Sequence, residues 1–565
     1  MSQAFGRSAI RAGVPLSLMA ITGLLVIVPL AMLVYTSFVD VTPFSGNREA
    51  LWTIANYRAL WSAKLARTIG DTVLVAFAGT VMAMMIGAGM AWLAARTDVP
   101  FKPLVHLSAL MPLFVSLLVA SIAWSLLGSG RSGYINIVLN ALGVPWRLEL
   151  QSLTGIAFLF GLYYAPYPFI FIYSALTLIN PDLEEAAAVH GADMRRVAGK
   201  ITFPLIRPAL VGSTLLVFVL MIEDFPVPQI LGSSVGIETL SIRIYTLMAT
   251  APAQPNQAAA VSVLLTVIAC GLVFAQRWIL GGRDYRTVTG KGAQVRVIAL
   301  RRLRGVAIAL VAFYVFVAVV LPLFALIQAA MRSNLFIPDA AALFDVSNLG
   351  FGNLVEALTD PKVRTGLMNS LTAGGLTAVV GVTLYFALAY TVNRTDLKGR
   401  QILEYLAMLP VALPALIMGL GILWTWVSIP LPVYGTLAIL VVAFTTRFMP
   451  QGYRAIAASV SQIHDDLEQA AMVAGATRLR AIWYVTLPLL RGGVAAAAFI
   501  TIVLSIRELT ASLFLYTANT RVLSIVIYEK YLDGAWAAVA SISLIYTLLL
   551  VILTLLGRRW MRAGI

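Results

Sequence analysis

Long apolar runs, separated by short polar stretches rich in Gly, Pro and basic residues, set the rhythm of this chain. A helix rises about 1.5 Å per residue, so about 20 apolar residues cross the ~30 Å hydrocarbon core of a bilayer. Runs of that length fall near 15–38, 70–94, 104–128, 154–178, 206–230 and 258–280. A second set falls near 303–330, 368–392, 402–427, 433–449, 490–512 and 536–557, the 433–449 run being the shortest. The runs lack the alternation of barrel strands. Helix is the form in which a backbone without water satisfies its own polar groups. The expected fold class is therefore an all-α integral membrane protein of about 12 transmembrane helices.

The pattern occurs twice. Pro181-Asp182-Leu183-Glu184-Glu185-Ala186-Ala187-Ala188-Val189-His190-Gly191-Ala192 returns as His464-Asp465-Asp466-Leu467-Glu468-Gln469-Ala470-Ala471-Met472-Val473-Ala474-Gly475-Ala476, and Ile201-Thr202-Phe203-Pro204 returns as Val485-Thr486-Leu487-Pro488, all offset by 284 residues. Upstream, Ala95-Arg96-Thr97-Asp98 matches Asn393-Arg394-Thr395-Asp396 at an offset of 298, and the difference fits a longer outside loop around Gly128 to Leu150. The chain thus divides into a first six-helix unit (1–280), a basic linker (281–302) and a second six-helix unit (303–565). Two such units, entering from the same side, are related by an axis along the membrane normal, and a passage along that axis is their natural product.

Composition agrees. Of 565 residues 60% are hydrophobic and 12% charged, against about a quarter charged in soluble domains. The net charge of +15 does not indicate nucleic acid, because the basic residues sit in short loops rather than on one polar face. With the N-terminus inside, roughly two thirds of the 40 Lys and Arg fall in inside segments, as the positive-inside rule requires. Both termini and the Gly-containing linker are then cytoplasmic, and the linker is expected to be flexible. Arg7 and Arg11 precede an apolar stretch too long for a signal core, with no small-residue cleavage site at Val34–Phe38, so this stretch is a retained span. The single cysteine, Cys270, precludes an intrachain disulfide, and no Cys/His/carboxylate spacing suits a metal. No nucleophile has a base and an orienting acid beside it, so an enzymatic role is not expected.

The repeated cytoplasmic segment has its own chemistry. Asp182 and Asp465 can cap a short helix, with Glu184, Glu185 and Glu468 in its positive first turn. Leu183, Ala186, Ala187 and Leu467, Ala470, Ala471 form a narrow face that admits another backbone closely. Gly191 and Gly475 supply the left-handed residue that ends a helix, Asp193 and Thr477 can cap the next, and Pro204 and Pro488 open a span. The expectation is a rigid helix–turn–helix elbow across the cytoplasmic mouth of each half.

Glu185-Ala186-Ala187, three residues, Gly191, nine residues, then Ile201-x-Phe203-Pro204 resembles the signature loop of permeases of ATP-binding-cassette (ABC) importers. The second copy reads Gln469-Ala470-Ala471, Gly475, Val485-x-Leu487-Pro488, with Gln469 in place of the leading Glu. Thr287–Gly292 and Arg507-Glu508-Leu509-Thr510-Ala511-Ser512 look most like the fused two-half permeases of ferric-iron importers, whose relatives include carriers of thiamine, polyamines, phosphonates and sugar phosphates. The resemblance implies type I importer units in a bacterial inner membrane. It also implies two cytoplasmic ABC ATPase subunits docking on the elbows and an extracytoplasmic solute-binding protein delivering substrate. The chain carries no Gly-x-x-x-x-Gly-Lys-Ser/Thr phosphate loop, so ATP and magnesium belong to the partner ATPase and no cofactor is expected on this chain. A secondary transporter driven by an ion gradient is the competing class, though it has no reason to keep one docking helix in both halves.

A passage needs lining groups, and charges within spans are functional candidates by default. Glu223-Asp224 and Arg507-Glu508 are equivalent at the 284 offset and close the fifth span of each half. Placed about 27 Å along their helices, they are expected at the outer mouth, with Asp224 facing Glu508. The alternative is a structural ion pair between Arg507 and a neighbouring carboxylate. Asp71 is a lesser candidate.

Overall fold

A computed structural model describes residues 2–41, 49–280, 297–397 and 399–563. Most of linker 281–302, including Thr287–Gly292, lies outside the described residues. Seven helices are long and apolar enough to cross a bilayer: Pro15–Ser37, Ala63–Arg96, Ala198–Glu223, Pro255–Ala275, Arg301–Met331, Pro361–Arg394 and Trp536–Gly557. Four further positions hold helix pairs bent by 40° to 114°. The fourth crossing of the second half, near 433–449, which these leave open, is helix Leu437–Val460. Its Arg447 and Arg454 dilute the apolar run, which is why it reads as the shortest span in the sequence.

The two halves follow one plan. The second spans, Ala63–Arg96 and Pro361–Arg394, are 34 residues each, or roughly 51 Å, and overshoot the bilayer core. The third spans are not straight. Lys102–Phe114 meets Leu117–Gly128 at 93°, and Arg400–Ala412 meets Ala415–Ser428 at 114°. Pro112 and Pro410, equivalent residues, each sit in a 3-10 turn before the break, where the missing N–H and the ring's clash end a regular helix. The fifth spans stop short of the expected 230 and 512. Their helices end at Glu223 and Arg507, the chain extends at Asp224 and Glu508, and short helices Pro226–Leu231 and Thr510–Phe514 follow.

The halves interlock. The first span of the first half packs on the bent third span of the second (Ala415–Ser428), and the first span of the second half packs on Leu117–Gly128. Tyr163 donates to the Ala318 carbonyl and Tyr314 to that of Leu162, at 3.0 and 3.1 Å across the halves. Ala318 lies in a five-residue π-helical stretch, Phe316–Val320, so Tyr163 meets a carbonyl in a locally irregular ladder. The linker is anchored at its described end: Ile298 pairs with Thr97, the Leu300 amide donates to Asp98 and Arg304 pairs with the same carboxylate. Arg304, together with the Leu300 amide, holds the Asp98 carboxyl below the usual carboxylate range. Residues 297–304 are thus fastened to the first half.

Small residues permit these crossings, as is usual in membranes. At Gly421 an added Cβ would stand 2.6 Å from the Pro29 carbonyl oxygen, at the crossing of the first-half first span with the second half. Gly421→Ala is expected to lower the thermal stability of the detergent-purified protein by about 1–3 kcal/mol through overpacking. Gly375→Ala, with nothing within 4 Å of its added methyl, serves as the control and should not fall. Equal melting curves for the two would contradict this packing.

Candidate functional site

The two elbows lie on one side of the membrane, since six crossings separate them. Helices Pro181–Val189 and Asp466–Val473 each end in a glycine with positive φ, +79° at Gly191 and +94° at Gly475. Ala192 and Ala476 donate back to the carbonyls of Ala187 and Ala471, both at 3.0 Å, which closes the turn. No neighbour lies within 4 Å of either glycine's Cβ position, so conformation rather than space requires glycine there. Asp193 and Thr477 cap the next helices through the Arg196 and Arg480 amides. The first caps differ from expectation. Asn180, not Asp182, accepts from the Asp182 amide, and Asp465 makes no side-chain cap because it pairs with Arg394.

Glu184 and Glu468 point inward. Arg96, at the inner end of the long second span, pairs with Glu184 at 2.9 Å, both side chains being buried, and Thr202 donates to the other oxygen at 2.8 Å. In the second half Tyr390 and Thr486 donate to Glu468, while the equivalent arginine, Arg394, turns to Asp465 and to the Val460 and Ile463 carbonyls. Thr202 and Thr486 each end a π-helical stretch, Ala198–Thr202 and Ile482–Thr486. These glutamates therefore hold the elbow to its own second span and cannot reach a docking partner. The outward face is apolar: Leu183, Ala186 and Val189 are exposed, as are Leu467, Ala470 and Val473. Their spacing of three puts each trio along one side of a helix. Ala187 and Ala471 are half-buried, Gln469 is exposed, and Glu185 lies in the same helix, as do Pro204 and Pro488 at the entries of the helices that follow.

The second charged group gathers at the helix breaks. Glu223 and Asp224 are buried, with 7% and 8% of their surface exposed, and they stand beside the broken middles of the third spans rather than at an open mouth. The bends bring this about, because a break in mid-span turns the helix ends inward. Asp224 and Glu508 do the same work in each half, accepting from the amides of Val227 and Ala511 three residues on, at 3.0 and 2.9 Å, and so capping the short helix. Tyr164 also donates to Asp224. Among the described residues Arg507 has no carboxylate partner; it donates to the Leu113 and Val115 carbonyls at the first-half break. The ion pair is Arg447 with Glu223, at 2.9 Å across the halves, and Arg447 also donates to the Pro410 and Leu413 carbonyls at the second-half break. Sequence reading passed over Arg447, although a lone charge inside an apolar run was the available signal. Asp71 pairs with Arg67 one turn before it, away from this group.

Beyond the cluster, four aromatic rings meet. Phe225 lies 5.1 Å from Tyr245 and 6.0 Å from Tyr528, and Tyr245 lies 6.1 Å from Tyr528 and 6.3 Å from Phe514. Tyr245 and Tyr528 occupy matching places on helices Leu240–Ala249 and Leu523–Leu532. The first amide of each helix is capped by the outer part of a second span: Leu240 by Thr72 at 3.0 Å and Leu523 by Ser370 at 2.8 Å. Rings this close leave no room for a solute between them. Among the described residues no group of His, Cys, Asp or Glu is placed to hold a metal ion.

Comparison with known proteins gives a consistent picture. The family described as "Binding-protein-dependent transport system inner membrane component" matches residues 73–280 and again 380–563. The ferric transport system permease protein FbpB of Actinobacillus pleuropneumoniae is 26% identical over 96% of this chain and 77% of its own length. The putative ferric transport system permease protein FbpB 1 of Haemophilus influenzae is 26% identical over 82% of this chain and 72% of its own. A chain from the crystal structure of a bacterial alginate ABC transporter, bound to a periplasmic protein carrying alginate pentasaccharide, matches at 18% identity with a TM-score of 0.37, covering 47% of this chain and 96% of that one.

The two elbows should differ in robustness. Glu184→Ala strands the buried Arg96 guanidinium and should loosen residues 181–200 by about 3–5 kcal/mol. Glu468→Ala strands only hydroxyl donors and should cost about 1–3 kcal/mol. Amide hydrogen exchange over the two elbows reads the difference, and equal acceleration would contradict the inward pairing.

Proposed function

The chain belongs to the family of binding-protein-dependent transport system inner membrane components, and from that premise we propose that it is the channel-forming permease of an ATP-driven importer whose cargo is ferric iron. The observation that carries the reading is the pair of exposed apolar stripes, Leu183-Ala186-Val189 and Leu467-Ala470-Val473, presented on one side of the membrane by elbows built on the same frame. Two equal surfaces suit two copies of one partner, here cytoplasmic ABC ATPase subunits, which supply ATP and magnesium. A solute-binding protein meets the opposite face, and both termini lie with the elbows in the cytoplasm. The frame stands with residues 1–280 and 303–565 as the two permease units.

Iron as cargo rests on the relatives named above and on charge. Glu223, Asp224 and Glu508 set three carboxylates against the guanidinium groups of Arg447 and Arg507, which favours a cation near the closure. Thiamine, polyamines, phosphonates and sugar phosphates are the alternatives within the family. In this reading the four aromatic rings and the charged cluster beneath them close the outer side of the passage.

Two experiments test the proposal. Ala186→Glu combined with Ala470→Glu places charge on the stripes without touching their buried anchors. It should weaken ATPase capture on the order of 30-fold, the effect of losing interface hot spots, and abolish ATP-dependent uptake of radioactive iron in proteoliposomes holding the whole complex. Uptake that persists and follows a proton gradient would instead favour a secondary transporter. Asp224→Asn with Glu508→Gln preserves side-chain oxygens for capping while removing both charges. Iron uptake should fall severalfold with unchanged melting temperature, and normal uptake would confine these residues to capping.

A further inference from the structure

The loop between Gly128 and Leu150, longer in the first half than its counterpart in the second, does not enter the transport reading. It forms helix Tyr134–Ala141 and a following extended stretch. With helix Leu117–Gly128 and the first span of the second half it encloses a cavity of about 880 Å³. That volume is within the ~300–1,000 Å³ usual for small-molecule sites. Phe313, Phe316 and Phe324 line one wall, and Phe313 and Phe316 are 65% and 48% exposed, so the cavity opens sideways.

Its depth follows from the helix. Arg301–Met331, 31 residues, is about 46 Å long and, centred on the ~30 Å core, overshoots by about 8 Å at each end. Phe324 then lies just beneath the outer boundary and Phe313 near the midplane, so the groove runs the depth of the outer leaflet. Its polar groups gather at the outer end, where Arg147 and Glu149 form the rim. Tyr134 packs into the cavity wall with its side chain only 5% exposed.

We propose that this groove holds a glycerophospholipid of the outer leaflet, with acyl chain along Phe313–Phe324 and phosphate beside Arg147. A water-soluble cargo has no route to a sideways-opening apolar wall at this depth, whereas acyl chains are the solvent there. The lipid would seat the first span of the second half against the first half, at the π-helical stretch Phe316–Val320.

The test uses the full chain in phosphatidylcholine nanodiscs doped with phosphatidylglycerol bearing a diazirine on one acyl chain, followed by photolysis and peptide mapping. Label should concentrate on residues 313–324 and 134–150 severalfold above the first span Pro15–Ser37. Val317→Trp, filling the cavity, should abolish groove labelling while sparing Pro15–Ser37. Even labelling of both first spans, or groove labelling indifferent to Val317→Trp, would overturn the proposal.

Discussion

A bilayer supplies no water, so every backbone polar group freed by a broken helix must find its partner inside the protein. This chain breaks its third spans sharply at mid-length and its fifth spans after Glu223 and Arg507. The breaks expose carbonyls at Leu113, Val115, Pro410 and Leu413, and the groups that meet them are the guanidiniums of Arg507 and Arg447. Charge enters the middle of the membrane as a consequence of broken backbone. Once there, Arg447 needs counter-charge, and Glu223 supplies it from the opposite half. The interface between halves, the charged cluster and the bends are one structural solution.

The elbows repeat the logic outside the core. Arg96 meets the last carbonyls of the fourth span, at Leu176, and neutralises itself on Glu184; Arg394 meets Val460 and Ile463 and neutralises itself on Asp465. Duplication preserved the arginine and the glutamate at matching positions but not their pairing. Tyr390 stands in the second half where the first has Trp92, and its hydroxyl takes Glu468, which leaves Arg394 for the surface carboxylate. One substitution on the second span thus makes the first elbow's anchor an ion pair and the second's a hydrogen-bonded one.

How much of this could be read in the sequence depended on what kind of rule governed each part. The span count and the twofold repeat follow from periodicity and offset, which folding preserves, and Gly191 and Gly475 occupy the left-handed positions their spacing implied. Prolines 112 and 410 were visible, but hydropathy averages over a bend and could not show that they break the spans. Side-chain direction was out of reach. Glu184 could face a partner or its own span until the packing of the elbow was known, and Asn180 could outcompete Asp182 as a cap by one residue of register. Arg447 was hidden by the weakness it caused, since it shortened the apolar run that contained it. Tyr245 and Tyr528 belong to no motif, and only the fold brings them together.

The long second spans give the two ends of the site a common frame. Each fastens the elbow at its inner end, through Arg96 to Glu184 or Tyr390 to Glu468, and caps an outer aromatic-bearing helix nearer its start, through Thr72 to Leu240 or Ser370 to Leu523. Between Thr72 and Arg96 lies one uninterrupted helix of about 36 Å. An unbroken helix transmits displacement along its axis without losing its own hydrogen bonds, whereas the bent third and fifth spans beside it can absorb displacement at their breaks. In the proposed transport cycle a force on the elbows would therefore be carried toward Tyr245 and Tyr528 by the stiff element, with the breaks that hold Arg447 and Glu223 as the places able to yield.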